Sequence, residues 1–297
     1  MKKSNTFTLK KLVLALALAG YTMSSAYAVM TPPTGTIQGT APVLSAASNS
    51  AQHAVDFSGT YAVANKLSSG DTIVMTYDYT DADGDDDDSS LNTRVTWHYT
   101  PAGGGADVLI ASVGVNATSA TPGTSTIILP AAAIGATVIK ATIQEYSKSG
   151  DPIAGQTITI ADTSLSTAPG GGGGGGTPTN PGPVLPGTGV TPGIYASGDS
   201  TFTNNLIGAL GTNLKVGDTY VFKLWDSAAV GTTDLTATVP NYTWHLVGTS
   251  ATDGITGDFT TSVSGGDFTI PVNSAADGTT LTGSDDGAQG FGLAVDY

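Results

Sequence analysis

The chain contains no cysteine. That excludes a disulfide framework, a thiol nucleophile and any cysteine-ligated metal centre. Histidine is limited to His53, His98 and His245, so acid–base chemistry would have to rest on carboxylates. Basic residues number 10 against 24 acidic ones. Four of the ten, Lys2, Lys3, Lys10 and Lys11, lie in the first eleven positions. From residue 29 onward, 6 basic residues face 24 acidic ones, so the formal charge moves from −14 to −18. Such a surface repels phosphate backbones and anionic lipid, which disfavours nucleic-acid and membrane-surface binding. It also keeps a Thr/Ser/Gly-rich protein in solution. Long amphipathic helical patterns are missing as well, and Thr, Gly and Val dominate.

One apolar run is present, residues 12–19, and none of that kind follows it. The four lysines precede it and Ala26-Tyr27-Ala28 supplies a small-x-small site behind it. This pattern predicts a secretory signal peptide over residues 1–28, because the run is too short to span a bilayer. The expected mature chain starts near Val29, is secreted by way of the periplasm, and carries no membrane-inserted segment. With no cysteine beyond Ala28, lipid attachment at the cleavage site is excluded.

Two stretches repeat at one fixed offset. Leu67, Gly70, Asp71, Thr72, Thr96, Trp97 and His98 recur as Leu214, Gly217, Asp218, Thr219, Thr243, Trp244 and His245, each displaced by 147 positions. The chain therefore carries two copies of one module, expected over 29–162 and 194–297. Between them, 163–193 contains no charged residue. It holds an unbroken glycine run at 170–176, followed by Pro178, Pro181, Pro183, Pro186 and Pro192. This composition reads as a tether, flexible in its Gly part and more extended in its Pro part. A phosphate-binding loop is excluded because no Gly-Lys-Ser/Thr follows the glycines.

Both modules read as all-β. Ile73, Met75, Tyr77 and Tyr79 alternate on one strand face, and Tyr220, Phe222 and Leu224 do the same in the second copy. Further strands are expected at 94–99, 108–113, 126–129, 137–143 and 156–160, then at 241–247, 258–263, 267–271 and 290–297. Short antiparallel strands punctuated by turn signals, at 100–130 residues per unit, predict β-sandwiches. Trp97 and Trp244 fall mid-strand and are expected between the sheets. His98 and His245 follow them and are expected on the opposite face.

The segment Asp81-Ala82-Asp83-Gly84-Asp85-Asp86-Asp87-Asp88 is chemically the most suggestive. Asp81, Asp83, Asp85 and Asp87 alternate in a way that suits a hard cation such as calcium. The spacing nevertheless departs from an EF-hand: Gly84 is fourth where the sixth position is needed, and the twelfth position is Asn92. The second module has only Asp226 and Asp234 in the equivalent loop. A solvated acidic loop is the expectation, with no metal or cofactor site assigned. Gly198-Asp199-Ser200 faintly resembles a hydrolase nucleophile block, but Thr201 follows where Leu is needed and no Asp-x-x-His supplies a base. With no Gly-x-Ser-x-Gly and no His-Glu-x-x-His either, no catalytic residue is assigned and a non-enzyme is expected.

Residues 61–73, Tyr-Ala-Val-Ala-Asn-Lys-Leu-Ser-Ser-Gly-Asp-Thr-Ile, carry a family likeness. So do Tyr79-Thr80-Asp81-Ala82-Asp83-Gly84-Asp85, Trp97, and Ser149-Gly150-Asp151-Pro152-Ile153-Ala154-Gly155. Together they resemble the immunoglobulin-like extracellular modules of intimin- and invasin-type bacterial proteins, SinH-like adhesins among them, and the secreted exoproteins of Zir-type systems. The resemblance covers most of the first module and, more thinly, the second. It implies tandem immunoglobulin-like sandwiches in an exoprotein that binds protein. The partner would be an intimin-like outer-membrane β-barrel transporter, a sister exoprotein or a host surface protein. No barrel or peptidoglycan-binding part is read in the sequence, so a released or partner-bound protein is expected. A structural appendage subunit or adhesin module is the alternative. The places to test are the acidic loop and the strand at 290–297, the latter as a strand donated to a partner's edge.

Overall fold

The computed structural model describes residues 30–165, 176–226, 232–271 and 281–297. The expected signal peptide, and positions 170–175 of the glycine run, lie outside the described residues. The chain divides into two units, 1–38 and 39–297. Residues 30–38 carry no helix or strand and are exposed throughout. All strands belong to the second unit, which is all-β apart from isolated short helical turns. Among the described residues no helix is long and apolar enough to cross a membrane.

Nine strands build a first sandwich: β1 (Val43–Ser45), β2 (Asp56–Thr60), β3 (Thr72–Thr80), β4 (Val95–Tyr99), β5 (Val108–Ile110), β6 (Ser112–Val115), β7 (Gly123–Ile128), β8 (Ile139–Tyr146) and β9 (Ala154–Ile160). One sheet runs β1-β3-β7-β6 with β2 also on β3, the other β5-β4-β8-β9. Every pairing is antiparallel. The alternation in the sequence sets the layers: Ile73, Met75 and Tyr77 of β3 meet Val95 and Trp97 of β4 and Ile143 of β8 in one core. The run at 108–113, read as one strand, is two. The chain leaves one sheet after Ile110 and joins the other at Ser112.

Among the described residues six strands build a second sandwich: β10 (Thr191–Ala196), β11 (Thr219–Trp225), β12 (Thr243–Thr249), β13 (Thr256–Ser264), β14 (Phe268–Thr269) and β15 (Phe291–Asp296). The sheets are β10-β11-β14 and β13-β12-β15, closed over Phe222, Leu224, Trp244 and Leu246. β10 begins inside the stretch read as linker. Its Pro192 is compatible with a strand because β10 is an edge, where a missing N–H costs no ladder bond.

The repeat is carried by matching hydrogen bonds. Gly70 N–H donates to the Leu129 carbonyl (2.8 Å) and Leu129 N–H to that of Asp71 (2.9 Å). Gly217, Ile270 and Asp218 reproduce this at 2.9 and 3.0 Å. Gly70 and Gly217 have φ of 88° and 87°, left-handed values that a Cβ resists, so the turn needs glycine in both copies.

The Pro-rich half of the linker differs from the expected spacer. Thr177 pairs with β2, where its carbonyl accepts from Phe57 N–H at 2.8 Å and its own N–H reaches Asp56 at 2.7 Å. Leu67 N–H donates to Pro181, Leu185 N–H to Leu67, and Ser69 N–H to Leu185. Val184 is 1% exposed within the first core. Composition suggests a solvated spacer, but these backbone groups find partners on the first sandwich, so the segment is part of its fold. The sandwiches also touch: Ile134, in the connection between β7 and β8, is buried in the second core.

Candidate functional site

The acidic loop between β3 and β4 is the first site to place. Its carboxylates diverge, each accepting from a different donor. Asp81 accepts from Asp83 N–H at 2.8 Å, Asp83 from Thr40 N–H at 2.6 Å and Asp85 from Ser149 Oγ at 2.6 Å. Asp87 is 4% exposed and accepts from Tyr77 Oη (2.9 Å), Ser89 N–H (2.8 Å) and Ala117 N–H (2.6 Å). Among the described residues no three acidic or His side chains form a metal-binding group. Burial, with the Asp87 charge beside it, pushes the Tyr77 phenol well above its ordinary range. Burial pushes Tyr79 up to about 12 despite a bond from Ser147, with Asp81 adding to the rise. The loop is a set of hooks fastening the sandwich end.

Trp97 and Trp244 are both fully buried. Trp97 Nε1 donates to Ser125 Oγ at 3.0 Å, and Trp244 Nε1 to the Gly266 carbonyl at 2.7 Å. They are core residues, as their mid-strand positions imply, and offer no stacking platform. His98 and His245 lie half-buried on the outer faces, and His245 pairs with Asp258 at 2.6 Å. The hydrolase-like triplet is a turn. Asp199 accepts from Asn204 N–H and from the Thr201 backbone and side chain, and these bonds hold its carboxyl below the ordinary range.

His53, isolated in the sequence, is not isolated in space. Its Nδ1 lies 2.7 Å from Glu145, the one glutamate, which also accepts from Leu44 N–H (2.9 Å) and Gln156 N–H (2.7 Å). Glu145 is fully buried. Its place was readable: on β8 it shares the parity of Ile139, Ala141 and Ile143. A carboxylate at that parity ties β8 to β1 and β9.

The strand at 290–297 is β15, and it is not available for donation. It pairs along its length with β12, Leu293 opposite Leu246 and Val295 opposite Trp244. Its other edge has no strand partner among the described residues. Beside that edge runs a cleft of about 870 Å³, bounded by β15, by Pro192 and Ile194 of β10, and by residues 206–210, 212–214 and 216. Among the described residues no charged side chain lines it. Ile207, Leu210 and Val216 at its lip are 49%, 100% and 40% exposed, an apolar concentration of the kind that marks an interaction site. Sequence reasoning missed this cleft because it depends on which strand edge is left unpaired among the described residues.

No protein-family model matches the chain, and no curated protein matches it.

Proposed function

We propose that this is a secreted bacterial protein-binding exoprotein without catalytic activity. In this reading its modules are tandem immunoglobulin-like sandwiches, and it works at the cell surface or host interface, exported through or bound to an intimin-like outer-membrane β-barrel. The open apolar edge of the second sandwich carries the reading, because an uncapped sheet edge beside an apolar cleft is a recurrent mode of polypeptide recognition. The strand order of the first sandwich supports the module type: two sheets, β1/β2-β3-β7-β6 and β5-β4-β8-β9, correspond to the A-B-E-D and C′-C-F-G order of immunoglobulin folds. The family likeness of residues 61–73 and 79–85 supports the export route. Self-assembly into an appendage is disfavoured by charge: from residue 194 on, eleven aspartates stand against two lysines.

The test is to fractionate a producing culture and capture the protein through an internal tag. Recovery from the medium with an intimin-like barrel protein, and loss of release when that barrel is deleted, are expected. Recovery solely from the periplasm, or as a self-polymer on the cell surface, overturns the proposal.

A further inference from the structure

Resting on the protein-binding reading, we propose that the free edge of β15 in the second sandwich takes an added strand in trans. An extended segment of a partner polypeptide adds antiparallel to the free edge of β15 and seats alternating apolar side chains in the cleft.

The internal repeat shows which edge is open among the described residues. β3 and β11 both start at the Thr of Gly-Asp-Thr, 147 positions apart, and β4 and β12 carry Trp97 and Trp244 at the same offset. Around β4 the order is β5-β4-β8-β9, and around β12 it is β13-β12-β15. Trp97 faces Ala141 of β8, and Trp244 faces Val295 of β15. β15 therefore occupies the place of β8. In the first sandwich β9 covers that strand, setting Ile160 opposite Ala141 and Ile158 opposite Ile143. Among the described residues nothing stands in the place of β9 beside β15.

Burial registers the open edge. Ile139, Ala141 and Ile143 of β8 are all buried, whereas Phe291, Leu293 and Val295 of β15 remain half-exposed though they share one face. The cleft follows this strand from Phe291 to Tyr297. A free ladder edge beside an uncharged cleft suits a strand better than a small polar ligand, which would find no convergent charge there. β15 also lacks the lysines and prolines that keep idle edges from pairing.

Charge selects the partner. Asp285 and Asp286 lie beside the Phe291 end, where Asp286 accepts from Thr252 N–H, and Asp296 closes the other end. The complementing segment therefore carries apolar residues at alternate positions between Lys or Arg flanks. A second copy of this chain brings the same excess of aspartate and is disfavoured.

The experiment uses the full chain and a synthetic peptide with isoleucine at alternate positions between terminal lysines. A peptide of the same composition with its isoleucines adjacent serves as control. Amide exchange across 291–296 should slow by at least about tenfold with the alternating peptide and stay unchanged with the control. Leu210→Ser, at a fully exposed position, should weaken binding without affecting folding. Gly292→Cys gives a geometric readout in a chain without cysteine, since the nearest atom to an added Cβ is the Val247 carbonyl oxygen at 3.7 Å. Its thiol should cross-link to a peptide cysteine at one position only, as an antiparallel register demands. No protection of 291–296, edge amides already protected in the chain alone, or a dimer on sizing with a protected edge would each overturn the proposal. If Leu210→Ser and maleimide-blocked Gly292→Cys still capture the cellular partner at full strength, the groove is wrong while protein binding stands.

Discussion

Asp87 is the residue whose removal most directly separates a hydrogen-bonded loop from a cation-filled one. Its carboxylate accepts from Tyr77 Oη, Ser89 N–H and Ala117 N–H at 2.9, 2.8 and 2.6 Å, and it is 4% exposed. Hydrogen bonds to a charged group contribute about 1.5–3 kcal/mol each, and losing the acceptor leaves its donors unsatisfied. Water entering from the sandwich end offsets part of that loss, so Asp87→Ala should cost about 3–5 kcal/mol in all. Tyr77→Phe removes one donor and keeps the ring, for about 1–2 kcal/mol, whereas Asp85→Ala, at a half-buried carboxylate bonded to Ser149 Oγ, should cost about 0.5–1 kcal/mol. Combined with Tyr77→Phe, Asp87→Ala should cost about 1 kcal/mol less than it does alone, since their shared bond is already gone. Urea unfolding followed by circular dichroism measures all four. A cost for Asp87→Ala under about 1 kcal/mol would refute the reasoning. So would a wild-type stability that falls when divalent ions are chelated, because cations rather than protein donors would then hold the loop.

Three further outcomes are expected. Gly70→Ala should cost more than Gly217→Ala: both sit at left-handed φ, for about 1–2 kcal/mol, but Thr188 of the docked segment occupies the space of a Cβ at Gly70, whereas that at Gly217 is open. Equal losses in denaturation would contradict this. Burial raises the Asp56 carboxyl, yet bonds from Ser48 and Thr177 outweigh it and hold it below the ordinary value. Its stabilisation is complete above pH about 4 and is lost as pH falls through the lowered value, so Asp56→Asn should flatten the acid limb of stability against pH. An unchanged acid limb would show that Asp56 does not fasten Thr177. Ile134→Ala should cost about 2–4 kcal/mol and speed amide exchange at Phe222 and Leu246 of the second core. Exchange confined to the first sandwich would deny the contact.

Much of the fold was legible because two-residue alternation and a fixed repeat are local signals. Ile73, Met75 and Tyr77 announced their strand, and Trp97 and Trp244 their place between sheets. The docking of 176–193 was not legible. Nothing in a Pro-rich composition says that Thr177 and Leu185 find backbone partners more than a hundred residues away. The pairing of His53 with Glu145 spans 92 positions and escaped for the same reason. In the acidic loop the pattern of alternating carboxylates shows none of the donors, such as Thr40 N–H and Ser149 Oγ, because these lie far away in sequence. The open edge of β15 needs the two strand orders side by side.

The three tryptophans are shared unequally between the sandwiches: Trp97 in the first, Trp225 and Trp244 in the second, all buried with their indole N–H groups bonded. The folded protein should accordingly emit at short wavelength, and each half carries its own optical signal. Removing Trp97 with a Phe leaves emission that reports the second sandwich alone, and that emission can be followed as its edge is filled.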